Sequence, residues 1–200
     1  MGILRNLFGG KNDLPGKTGE MMDEDRFWNI VATSLKFADD QEKQEEFLIS
    51  SLSKLPPKDI IGFRLRTDKL LFDTYNDKMW CAAYIMNGGC SDDGFEYFRC
   101  WVISRGKEVY YAAKENPDSL ISQVNEDEDE DDYIYEFESF WSAPLDAFEQ
   151  VTKKSLYDFI DDDVFKTSEG NYPAIEFSWQ EDDPGSMRKI CPRLFAAKPI

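Results

Sequence analysis

The sequence predicts an all-α fold: one compact multi-helix domain of about eight helices, closed by an irregular C-terminal segment. Apolar residues recur at helical spacing from Asp23 to Phe159, whereas the period-two alternation of strands is nearly absent. Proline and glycine signals at Pro56-Pro57, Gly88-Gly89 and Arg105-Gly106 cut that pattern into helix-length pieces. Between Lys78 and Ala113 two helical patterns are apolar nearly all round, the mark of helices buried on every side. With 200 residues, the chain has room for one real core and too little for two.

The chain is divided into a flexible tail over residues 1–20 and a helical domain over 21–200. Residues 1–19 carry Arg5, Lys11 and Lys17 against Asp13 alone, and their one apolar cluster, Ile3, Leu4, Leu7 and Phe8, is too short for a signal sequence or a membrane span. Two motifs fail there. Gly10 stands one residue too far from Gly16-Lys17-Thr18 for a phosphate loop, and Asn6 occupies the position where N-myristoylation wants Ser or Thr.

Acids at Asp23, Glu24 and Asp25 open the first helix, with Phe27, Ile30, Val31, Ser34, Leu35 and Ala38 on its inner face. A second, from about Asp40 to Leu55, is stopped by Pro56-Pro57. Pro57 starts a third, which runs through Ile60, Phe63 and Leu71 to Tyr75, with a break or kink expected at Thr67-Asp68. The two central helices follow, joined by Asn87-Gly88-Gly89-Cys90; Gly106 suits a left-handed cap after the second. Further helices are expected over Glu108–Asn116, briefly after Pro117, over Tyr133–Tyr157 with an interruption at Pro144, and over Leu156–Phe159. Beyond Thr167 periodicity is lost. Pro173, Pro184, Pro192 and Pro199 exclude one long helix, and a short hairpin near Ala174–Trp179 is the expected exception to an all-α chain.

The seven acids at 126–132 form an acidic loop. Asp127, Asp129, Asp131 and Glu138 fall at calcium-loop spacing, but Asp132 stands where the sharp turn needs glycine. A solvated run is the simpler reading.

Composition excludes several functions. No histidine is present, which removes Ser-His and Cys-His nucleophile pairs and every histidine-ligated metal centre. A net charge of −17 repels phosphate backbones, so no direct nucleic-acid contact is expected, and a basic protein partner is. Cys81, Cys90, Cys100 and Cys191 show no metal-ligand spacing; free thiols in an apolar setting fit a reducing cytoplasm. No cofactor is implied.

One candidate ligand site stands out. Ser91, Asp92, Asp93, Glu96 and Arg99 follow the glycine turn, with Asp92, Glu96 and Arg99 on one stripe of an otherwise apolar helix. That stripe is either a helix cap with a buried Glu96–Arg99 pair or the lining of a pocket, in which the carboxylates hold a hard cation and Arg99 meets a phosphate.

The stretch Gly88–Tyr110, GGCSDDGFEYFRCWVISRGKEVY, resembles the signature of the bacterial domain-of-unknown-function family 4240, as do MDEDRFW at Met22, AAY at Ala82 and CPRLFAAK at Cys191. The resemblance spans roughly Met22 to Phe195. It implies a mostly helical domain of bacterial proteins and no activity. Two functions therefore stand against each other: an acidic, non-catalytic interaction module, immunity-like or DNA-mimic-like, and a carboxylate-dependent, metal-assisted enzyme acting on a phosphate-containing small molecule.

Overall fold

The computed structural model describes residues 14–124 and 135–198. Among these the chain is mostly helical, with no strand and only two isolated bridges, Thr18 with Ile160 and Gln180 with Asp183. No helix is long and apolar enough to cross a membrane. The acidic run 126–132, with the calcium-loop positions Asp127, Asp129 and Asp131, lies outside the described residues, while Glu138 is the first residue of a helix.

Asp23 caps α1 (Glu24–Phe37) by accepting from the Arg26 amide at 3.0 Å, and Asp40 caps α2 (Gln41–Leu52) by accepting from Lys43 at 2.8 Å. Each cap satisfies an amide that the first turn leaves without a partner. Helix α2 ends one turn earlier than the pattern suggests, because Ser53 to Leu55 close tight turns ahead of Pro56. Helix α3 (Pro57–Asp73) is unbroken at Thr67-Asp68. Both polar side chains are satisfied by their own helix: the Thr67 hydroxyl donates to the Phe63 carbonyl at 3.1 Å, and Asp68 accepts from Arg64 Nε one turn back.

Helix α4 (Asp77–Asn87) stops at Gly88, whose φ of 68° is left-handed and favours a residue without Cβ. After the turn, Ser91 caps α5 (Asp92–Ser104) by accepting from the Gly94 amide at 3.1 Å. Gly106 does not form the expected left-handed cap. The chain leaves α5 through a right-handed Arg105, and Gly106, at a positive φ of 99° with ψ 172° that favours a residue without Cβ, instead opens α6 (Lys107–Glu115). A 3₁₀ segment, Pro117–Gln123, follows.

Helix α7 (Glu138–Thr152) starts later than the aromatic pattern predicts: the Phe137 amide donates to the Tyr97 carbonyl of α5 instead of to the residue four positions back, as a helix begun at Tyr133 would require. Pro144 sits inside α7 without ending it. The missing amide costs a single intrahelical bond, and the ring is buried with Ala143, Ala147 and Phe148. The hairpin expected at 174–179 is not formed. In the C-terminal segment Pro184 and Pro192 instead begin two short helices, α8 (Pro184–Ile190) and α9 (Pro192–Ala197).

Helix α7 packs on α2, α3 and α5, while α4 receives α8, α9 and the Pro117 segment. Helices α3 and α5 thus lie at the centre, and α5 buries Phe95, Phe98, Cys100, Val102 and Ile103. The Phe27, Phe63 and Phe140 rings stack through the core at centroid separations of 4.6 and 6.3 Å.

The incoming chain is fastened where the Met22 amide donates to the Gly62 carbonyl at 2.8 Å. A Cβ on Gly62 would meet Met22 N at 2.9 Å. In an open helix Gly→Ala stabilises by up to about 1 kcal/mol; here the collision is with backbone, which cannot swing aside. Gly62→Ala therefore destabilises the fold by about 1–3 kcal/mol, read as a lower Tm in thermal unfolding, while the helical circular dichroism is retained.

Candidate functional site

The five residues singled out by sequence separate into two groups. Ser91, Asp92 and Asp93 are exposed at the start of α5, where Ser91 is engaged as the cap and the two carboxylates face the positive end of the helix dipole. Glu96 and Arg99 lie one turn further in, half-buried and buried respectively. Their closest approach, Arg99 Nη2 to Glu96 Oε2, is 4.0 Å, an ion pair too long for a hydrogen bond.

Arg99 is 1% exposed. Its Nε donates to the Phe95 carbonyl at 3.2 Å, and Nη1 donates to the Leu71 carbonyl at 2.7 Å and the Tyr172 hydroxyl at 3.1 Å. The rings of Phe95, Tyr172 and Tyr75 stand 4.5, 5.0 and 5.1 Å from the guanidinium carbon. A cation so enclosed gains from both ring quadrupoles and carbonyl dipoles. Tyr172 also lies flat on Tyr75, 4.2 Å between centroids at 13°, so the C-terminal segment closes the guanidinium from outside.

A second buried arginine completes the cluster. From α3, Arg64 donates through Nε to Asp68 at 2.9 Å and through Nη1 to the Trp141 carbonyl at 3.3 Å, and its guanidinium stands 3.7 Å over the Trp141 ring. Burial raises the Asp68 carboxyl above the usual Asp range, against the pull of Arg64. Burial likewise raises Glu96, opposed by Arg99 and reinforced by Glu169. Two arginines and two carboxylates thus face one another between α3 and α5, beneath Trp141, Tyr157, Glu169 and Tyr172.

Sequence reasoning missed Arg64, Asp68, Trp141 and Tyr172. The signal for the first two was present as a charged i, i+4 pair inside the apolar run from Ile60 to Leu71, the same kind of pattern that marked Glu96 and Arg99. Nothing in the sequence announces Tyr172, which arrives from far along the chain.

At the glycine turn, the Cys90 thiol is pushed up to about 12 by burial, with Glu136 and Asp92 adding to the effect, so it stays protonated and is a poor nucleophile. The Asn87 side-chain amide beside it is buried with neither its oxygen nor its nitrogen hydrogen-bonded. Among the described residues no three carboxylate or cysteine side chains converge as a metal site.

Fold and site together define a helical protein whose centre is a paired-charge cluster. It belongs to the family described as Protein of unknown function (DUF4240), whose profile matches residues 22–150. The match covers α1 to nearly the end of α7 and stops short of Phe195, so Tyr172 and the CPRLFAAK stretch lie beyond it. No curated protein and no solved structure matches the chain.

Removing Asp68 strands Arg64 in the interior. Asp68→Ala is expected to destabilise by about 3–5 kcal/mol, whereas Asp92→Ala and Asp93→Ala, each losing a dipole contact in solvent, cost under about 1 kcal/mol apiece; urea unfolding of the three variants measures the contrast.

Glu96 gives a pH signature. Its folded pKa lies above the ordinary value, so the folded state binds the proton more tightly than the unfolded chain. Its contribution to stability therefore rises as pH falls through the folded pKa toward the ordinary glutamate range. The Tm of the native protein relative to Glu96→Gln should increase from pH 7 to pH 5. An unchanged difference would place Glu96 in ordinary solvent.

Proposed function

We propose that this protein is a protein-interaction module of the bacterial cytoplasm that engages a basic partner through carboxylates of its C-terminal segment. The observation behind this reading is an uneven compensation of charge. All ten ion pairs among the described residues fall between Glu20 and Lys114. Between Asp158 and Asp183 the chain carries nine acids and one lysine, none of them in those pairs, and all nine acids except Asp161 are exposed.

Unneutralised carboxylates held against a folded body raise the local concentration of basic ligands and speed their docking. Tyr157, Val164 and Phe177 in the same segment are 48%, 67% and 50% exposed, offering apolar anchors among the charges. An immunity-type or DNA-mimic role fits this chemistry. Arg99, the residue that the phosphate-enzyme reading needs, is committed to three carbonyl or hydroxyl oxygens and three rings.

Affinity capture from cell extract in low salt, followed by titration of the captured protein, tests the reading. The partner should have a basic isoelectric point, and its Kd should weaken by about tenfold or more between 50 and 500 mM salt. Asp161→Asn, Asp162→Asn and Asp163→Asn combined should reproduce part of that loss at low salt. A partner whose Kd is indifferent both to salt and to the triple substitution defeats the proposal.

A further inference from the structure

Cys81 of α4 and Cys191, between α8 and α9, are 110 positions apart in sequence and converge on one backbone oxygen. The Cys81 thiol donates to the Met187 carbonyl at 3.9 Å, and the Cys191 amide donates to the same oxygen at 2.9 Å. Both residues are fully buried and free, and the shared Met187 carbonyl brings the Cys81 sulfur next to the Cys191 backbone. Ordinary core cysteines are small hydrophobes with separate neighbours; this pair meets at one carbonyl across the seam between the family-matched helices and the C-terminal segment.

We propose that Cys81 and Cys191 are a dithiol site that reacts with a low-molecular-weight disulfide to form an intramolecular disulfide, stapling the C-terminal segment to α4. In the first step a cysteine thiolate attacks one sulfur of the reagent; a protein–reagent disulfide forms, the reagent's S–S bond breaks, and one thiol departs. The second cysteine then attacks the protein sulfur of that mixed disulfide, the Cys81–Cys191 bond forms, and the second reagent thiol leaves. The protein loses two electrons and two protons, and the reagent gains them.

The neighbouring Cys81 thiol, burial and Asp118 raise the Cys191 thiol above its ordinary range, so the native pair is slow to ionise and exchange waits for α8 and α9 to lift. Asp118 helps to hold them down. Its buried carboxylate accepts from the Arg193 and Leu194 amides at 2.9 Å each, fastening the first turn of α9 to the Pro117 segment. Asp118→Ala should therefore accelerate the reaction by loosening that clasp.

The test is incubation of the purified full chain with oxidised glutathione at pH 8, followed by denaturation, alkylation of remaining thiols, and peptide mapping without reduction. The expected product has two fewer alkylatable thiols, a cross-linked peptide joining Cys81 to Cys191, and no retained glutathione at either. It should melt roughly 5–10 °C higher than the reduced protein, because the bond closes a loop of about 110 residues. Cys81→Ala and Cys191→Ala should each abolish that product. Retention of both thiols as alkylated cysteines, or mixed disulfides that never resolve into the cross-link, overturns the proposal, and because the principal readout is on the native protein it stands even if a variant fails to fold.

Discussion

The buried guanidinium of Arg99 is the constraint around which this molecule is arranged. An isolated charge at 1% exposure would cost several kcal/mol, and the chain offsets that cost from distant parts of the sequence. Helix α5 supplies the Phe95 carbonyl and ring, the last turn of α3 turns the Leu71 carbonyl inward, and the C-terminal segment delivers the Tyr172 hydroxyl. Helices α3 and α5 and the residues around Tyr172 thus share one polar centre. Arg64 repeats the solution on the facing helix with Asp68 and the Trp141 ring, which draws α7 onto the same centre.

Such clusters do more to define one arrangement than to raise stability, since well-packed apolar substitutes for buried ion pairs are often at least as stable. The raised carboxyls of Asp68 and Glu96 point the same way: burial outweighs their arginine partners, and both groups hold the proton more tightly than in solvent. The Asn87 amide, buried without a partner at the end of α4, is a second place where local cost is accepted. Local rules fail together at the α4–α5 turn and along the facing stripes of α3 and α5, and that coincidence marks this centre as the part of the fold under the strongest constraint other than packing.

Most of the helices were legible because their signals are local. Asp23, Asp40 and Ser91 announce their caps, and Pro57 and Gly88 mark a start and a stop through backbone geometry that their own chemistry dictates. The misreadings arose where a distant partner decides. Thr67 and Asp68 look like a helix break until Phe63 and Arg64 are seen to satisfy them, and the delayed start of α7 depends on the Tyr97 carbonyl across the core. The stripe on α5 was read as a unit, yet Asp92 is exposed while Glu96 and Arg99 face Arg64 and Asp68. Spacing puts residues on one face; burial grades that face from end to end, and a sequence carries no direct record of the gradient.

The family match ends at residue 150, but the structure does not divide there. Tyr172 closes Arg99, Trp179 donates to the Asp77 carbonyl at 2.8 Å, and Asp118 holds the amides of Arg193 and Leu194. A segment made only for solubility needs no such anchors. Each of them is a polar group of the family-matched region satisfied by the segment that follows it, so the two parts depend on one another for hydrogen bonding as well as for apolar cover. The carboxylates between Asp158 and Asp183, which form no ion pair among the described residues, consequently lie on a segment anchored at Tyr172 and Trp179. On the interaction reading proposed above, a tethered acidic tail would attract any polycation, whereas carboxylates on an anchored segment, with Phe177 and Val164 exposed among them, would discriminate by shape as well as by charge.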